Sequence, residues 1–129
     1  MENNEKAKVH FRFEDLDVWQ TGRDLAGNMH RVAEKLDEKR YWRYAEQLRA
    51  AALSVPNNIA EGSGSIHQKE FLSFLNIARR SLFETASMLL VFSAMDVLQQ
   101  TDIQPLLVTC DKLSRMIYRL AQSKGLSDQ

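Results

Sequence analysis

Apolar side chains recur in this chain at alternating steps of three and four, in four separate blocks, and that spacing settles the fold class. The first block is Val18, Gly22, Leu25, Met29, Val32 and Leu36, and the second is Tyr41, Ala45, Leu48, Ala52, Val55 and Ile59. The third is Phe71, Leu75, Ala78, Leu82, Thr85, Leu89 and Phe92, and the fourth is Ile103, Leu106, Cys110, Leu113, Ile117 and Leu120. Such a step lays one apolar stripe along a helix, and heptad stripes pack at shallow crossing angles. No stretch sustains the two-residue alternation of a strand. The intervening joints are short, so neighbouring helices run antiparallel. The expected fold is all-α: an up-down-up-down antiparallel four-helix bundle over residues 13–125, after a flexible polar segment 1–12.

The joints carry their own signals. Asp17 with Gln20 is a candidate opening for the first helix, and Asp37 to Arg40 ("DEKR") turns it into the second. Ser65 with Gln68 and Thr101 with Gln104 have the capping-box spacing for the third and fourth helices. Pro105 then falls in a first turn, where proline is tolerated. Lys124 followed by Gly125 is a candidate end for the last helix.

Composition excludes more than it selects. The chain has 129 residues with 17 basic and 17 acidic side chains, so one domain without net charge is expected. Zero net charge gives no long-range pull toward nucleic acid or an anionic membrane, and only a local basic patch could supply one. A single cysteine, Cys110, excludes an internal disulfide and suits a reducing compartment. No apolar run reaches the roughly 20 residues of a membrane span. The opening "MENNEKAKVHF" lacks an apolar signal core. A cytoplasmic protein without membrane contact is expected.

Catalytic chemistry finds no foothold. Bundle metal sites use inward carboxylates and a Glu-x-x-His pair, and none of His10, His30 and His67 follows a carboxylate by three. Cys110 lies on a core stripe, where a thiol is buried and inert. No metal, no cofactor and no enzymatic activity are expected.

Two features stand apart from the regular pattern. "MLLVFSAMDVL", residues 88–98, is apolar nearly all round, and Phe83 adds to it. A helix covered on all sides calls for a partner chain, so a homo-oligomer joined through helix three is expected. The alternative is a monomer in which residues 1–16 wrap that helix. The second feature is "VPNNIAEG", residues 55–62. Pro56 cannot donate to the Ala52 carbonyl, so helix two should kink there without ending. Ser54, Asn57 and Asn58 can serve the loosened backbone. Glu61 sits at a helix C-terminus, where a negative charge is disfavoured. It is expected to accept hydrogen bonds from the start of helix three, while Gly62 and Gly64 let the chain reverse.

Together "FEDLDVWQTGRDLA", "QLRAAALSVPNNIAEGSGS" and "KEFLSFLNIARRSLFE" resemble the small proteins encoded within intervening sequences of bacterial 23S rRNA genes, often labelled S23 ribosomal protein. The accessory variability proteins of diversity-generating retroelements are relatives of that family. The resemblance covers about residues 13–98. It implies a four-helix bundle assembled as a ring-shaped homopentamer, without enzymatic activity, whose ligand is RNA or DNA.

Candidate nucleic-acid residues follow from charge and stacking. Lys39, Arg40 and Arg43 interleave with Tyr41, Trp42 and Tyr44, and cations among stackable rings suit single strands. Lys112, Arg115 and Arg119 share one face of helix four, which a solvated surface explains equally well. Helices two and three, reversed about Ser65 to His67, place Arg49 and Glu84 at one height. An ion pair between them, with Ser81 close by, is therefore expected to set the helix register. The resulting expectation is a homo-oligomer, most simply a pentamer, that binds RNA, another single strand or a nucleic-acid-handling partner. The alternative is a purely structural or protein-interaction ring.

Overall fold

The computed structural model describes residues 8–125. Among them four helices follow one another: α1 Asp17–Glu38, α2 Trp42–Ser63, α3 Gln68–Ala94 and α4 Gln100–Ser123. Each packs on its neighbour in sequence, and α4 closes against α1. The result is the expected antiparallel bundle, a square in which diagonal helices stay apart. The heptad stripes meet along its axis. Leu25, Met29, Leu36, Leu48, Ile59, Leu75, Leu82, Leu89, Ile103, Leu113 and Ile117 are fully buried there. Each such side chain contributes about 1.5–3 kcal/mol of burial free energy. Thr85 and Ser114 are buried polar residues, and the Thr85 hydroxyl donates to the Ser81 carbonyl one turn back, at 2.9 Å.

Helix α1 begins at Asp17, as its candidate opening implies, whereas α3 and α4 begin at other residues than expected. Leu16, His67 and Gln99 occupy the N-cap positions of α1, α3 and α4, and none supplies a side-chain cap. Ser65 and Thr101 fall two residues to either side of the N-caps of α3 and α4, so neither serves as one. Gln20 turns away from Asp17, its amide donating to the Glu14 carbonyl at 2.6 Å.

The helix ends carry stronger signals. Tyr41 N–H donates to the Leu36 carbonyl and Arg40 N–H to the Asp37 carbonyl, both at 2.9 Å. Val97 N–H donates to Phe92 at 2.8 Å and Asp96 N–H to Ser93 at 3.0 Å. Both pairs are Schellman closures, which demand a left-handed residue at the turn. Arg40 (φ 69°) and Asp96 (φ 60°) fill that position where glycine is usual. Gly125 (φ 107°) lies just beyond the end of α4. The Lys39 ammonium donates to the Val97 carbonyl at 2.7 Å and so links the α1–α2 and α3–α4 turns.

Before α1 a short 3-10 turn, Arg12–Asp15, rests on α1 and α2. Phe11 stacks on Phe13 at 5.4 Å, and Phe13 meets Trp19 at 5.1 Å. Phe11 N–H donates to the Glu14 carboxylate at 2.8 Å. Within the segment read as flexible, His10 to Arg12 are thus drawn into contacts, and residues 1–7 lie outside the described residues. The segment 8–16 does not wrap α3.

Candidate assembly face and nucleic-acid corner

Helix α2 runs unbroken from Trp42 through the buried Pro56 to Ser63. Two residues beyond Pro56, the Asn58 amide donates to the Ser54 carbonyl at 2.7 Å and to the Ser54 hydroxyl at 2.8 Å. The Ser54 hydroxyl in turn meets the Ser81 hydroxyl of α3 at 2.8 Å. Pro56 faces Gly22 of α1, where an added Cβ would stand 3.5 Å from Pro56 Cβ, an ordinary contact.

The expected carboxylate staple is absent. Glu61 is exposed and its side chain holds no hydrogen bond among the described residues. The reason is helical phase: Glu61 continues the outer face of α2, turned away from the start of α3. Gly62 serves packing rather than chain reversal. It is helical and buried, and a Cβ on it would lie 2.6 Å from Phe74 Cβ and 3.0 Å from the Phe71 ring. Gly64 is likewise right-handed, at φ −83°. The chain reverses without left-handed glycine.

Arg49 and Glu84 do not meet. Arg49 reaches α1, donating to the Asp37 carboxylate at 2.5 Å and to His30 Nδ1 at 3.3 Å. Glu84 is exposed. Counting residues from the turn fixed their heights but not their faces, and Arg49 lies on the α1 side of the Leu48 stripe. Between α2 and α3 the cross-link is instead Ser54 with Ser81.

The basic-aromatic stretch forms a corner at the α1–α2 turn. Tyr41 stacks on Tyr44 at 5.5 Å, and Tyr44 on Phe92 at 4.8 Å. Tyr44 is thereby packed against the core, while Tyr41 stays exposed. Trp42 remains 63% exposed beside the exposed Arg40 and Arg43. Lys39 is committed to Val97. On α4, Arg115 pairs with Asp111 one turn before it. Arg119 lies near Leu16 and Asp17, at the opposite end of the bundle. From the start of α4 to Arg119 is roughly 28 Å of helix, so the structure does not bring Arg119 and Arg43 together within one chain.

Helix α3 keeps an apolar exterior. Phe83 (55%), Leu90 (51%), Val91 (48%), Met95 (46%) and Ile77 (41%) are exposed. Arg79 is a contributor that residue type alone did not single out. Its guanidinium lies 5.0 Å from the Phe83 ring centre and 5.6 Å from that of Tyr118, and donates to the Ser114 carbonyl at 3.3 Å. The i, i+4 spacing of Arg79 and Phe83 was the available sign. Beside Phe83 an open groove of ≈ 340 Å³ runs between α3 and α4, with Leu90, Leu107 and Cys110 in its wall.

Among the described residues no three His, Cys, Asp or Glu stand together to hold a metal ion. No helix of the described residues is long and apolar enough to cross a membrane. Burial pushes the Cys110 thiol up to about 11. His10 is raised by its hydrogen bond to Asp15 and by that carboxylate's charge.

A protein-family model described as 23S rRNA-intervening sequence protein matches residues 14–119. Among curated proteins, none matches the chain.

Proposed function

This chain belongs to the 23S rRNA-intervening sequence protein family, and we propose that it is a non-enzymatic, cytoplasmic homo-oligomer, most simply a pentamer, that binds RNA. The observation that carries the binding role is the corner at Arg40 to Arg43. An exposed indole with two exposed arginines within two residues of it along the chain offers a stacking surface and phosphate contacts, the combination that holds single strands. One such corner binds weakly. Repetition around an assembly raises the effective concentration and makes weak sites useful. The exterior of α3 supports the assembly, because an exposed apolar surface of this kind marks an interaction site.

The test is a salt-series binding assay with the host's own 23S rRNA and with unrelated single strands. Affinity is expected to fall steeply from low to physiological salt, as counterion release requires. Replacing Arg40 and Arg43 by Gln and Trp42 by Ala is expected to weaken binding to all strands alike and to flatten the salt slope. Unchanged binding in that variant refutes the corner's role. A second reading, a structural or protein-interaction ring, draws on the engagement of Lys39 by Val97 and of Arg115 by Asp111. An oligomer that binds no strand at low salt would establish it.

A further inference from the structure

We propose that α3 joins one copy of this chain to the next head to tail, Phe83 of one copy entering a hole framed by Ile77, Arg80, Ser81 and Glu84 of its neighbour. The inference rests on the self-association proposed above and adds which surfaces meet and in what symmetry. On the flank of α3 lies an open depression of ≈ 420 Å³ lined by those four residues alone. They stand at i, i+3, i+4 and i+7, the frame that receives a knob from a facing helix in coiled-coil packing. Among the described residues no other side chain lines it. Arg80 and Glu84 on its rim are exposed and hold no ion pair among the described residues.

The knob is on the same helix but on another face. At 3.6 residues per turn, Phe83 points roughly 110° away from the centre of the hole. Its ring is supported by Arg79 and stands proud of the surface. One heptad later the pattern repeats: Leu90 is exposed like Phe83, and Glu84, Ser87, Met88 and Val91 form the corresponding frame. Rotation about an axis along α3 keeps every residue at its own height. The frame is centred roughly 4 Å toward the N-terminus from Phe83. Helical side chains lean in that direction, so the ring covers the offset. Arg80 of one copy and Glu84 of the next then come together at the rim. A two-fold dimer uses one face twice, whereas knob and hole on separate faces call for a heterologous contact, which closes into a ring or propagates.

The experiment replaces Cys110 by Ala and introduces Leu90→Cys with Val91→Cys, knob and frame positions one heptad on that differ by only about 1.5 Å in height and leave Phe83 in place. On oxidation, the double variant is expected to give a covalent ladder beyond the dimer, and each single cysteine variant none. Separately, Phe83→Glu is expected to lower the light-scattering mass to that of the 14.9 kDa chain with helical circular dichroism unchanged. Cross-links that are absent or stop at dimers, or an assembly that survives Phe83→Glu, overturn the head-to-tail docking while self-association stands. A wild-type chain that is already a monomer at micromolar concentration overturns the self-association reading, and this docking with it.

Discussion

Two buried helical glycines have opposite tolerances. A methyl on Gly62 would enter Phe74 and Phe71, and α3 would have to move off α2. Gly62→Ala is expected to cost about 1–3 kcal/mol or more, the range for overpacking. A methyl on Gly22 meets Pro56 at ordinary contact distance. Gly22→Ala should therefore stabilise by about 0.5–1 kcal/mol through helix propensity. Urea denaturation of both variants checks the pair. Arg40 occupies a left-handed position that suits glycine, so Arg40→Gly is expected to raise the melting temperature. Cys110 sets a limit at alkaline pH. Its folded value of about 11 exceeds the unfolded 9.0, so folding favours the neutral thiol. That contribution is complete below pH 9 and is lost as pH rises through about 11. The stability difference between wild type and Cys110→Ala should be flat below that window and shrink across it.

At the level of the helices, register is held by small polar contacts rather than by a buried charge pair. A double-mutant cycle on Arg49→Met and Asp37→Leu should show coupling of about 0.5–1 kcal/mol, since both side chains are about one-third exposed (33% and 35%). The same cycle on Arg49 and Glu84 should show none. Helix number, order and stripes were legible in the sequence because a 3–4 repeat depends only on which residues avoid water. The ends of α1 and α3 were harder to read. Arg40 and Asp96 adopt a conformation that their residue types do not announce, and the capping pairs at Ser65 and Thr101 were displaced by two residues. The pairing of Arg49 with Glu84 and the staple by Glu61 fail alike on facing: counting placed the first pair and terminal charge the second, and neither says to which side a helix turns a side chain. Of the candidate site, the exposed Trp42 with Arg40 and Arg43 was visible as a motif. The use of Lys39 by a carbonyl 58 residues away was not.

Across the whole molecule the two ends differ. One carries the α1–α2 and α3–α4 turns, both Schellman closures, and the other carries the α2–α3 turn and the 3-10 segment. The contact of Lys39 with Val97 is the tie between the two turns at the first end. It therefore has a consequence for the time course of folding. Each helical hairpin, α1 with α2 and α3 with α4, can form from near neighbours in sequence. Their mutual tie must wait until both hairpins exist and have docked, because separation along the chain raises the entropy of closing it. A contact made after the rate-limiting step affects only the escape from the native state. Lys39→Met should leave the refolding rate in stopped-flow experiments unchanged and raise the unfolding rate about fivefold, the kinetic equivalent of one hydrogen bond of about 1 kcal/mol. A slower refolding limb would instead place the joining of the two hairpins at the start of folding.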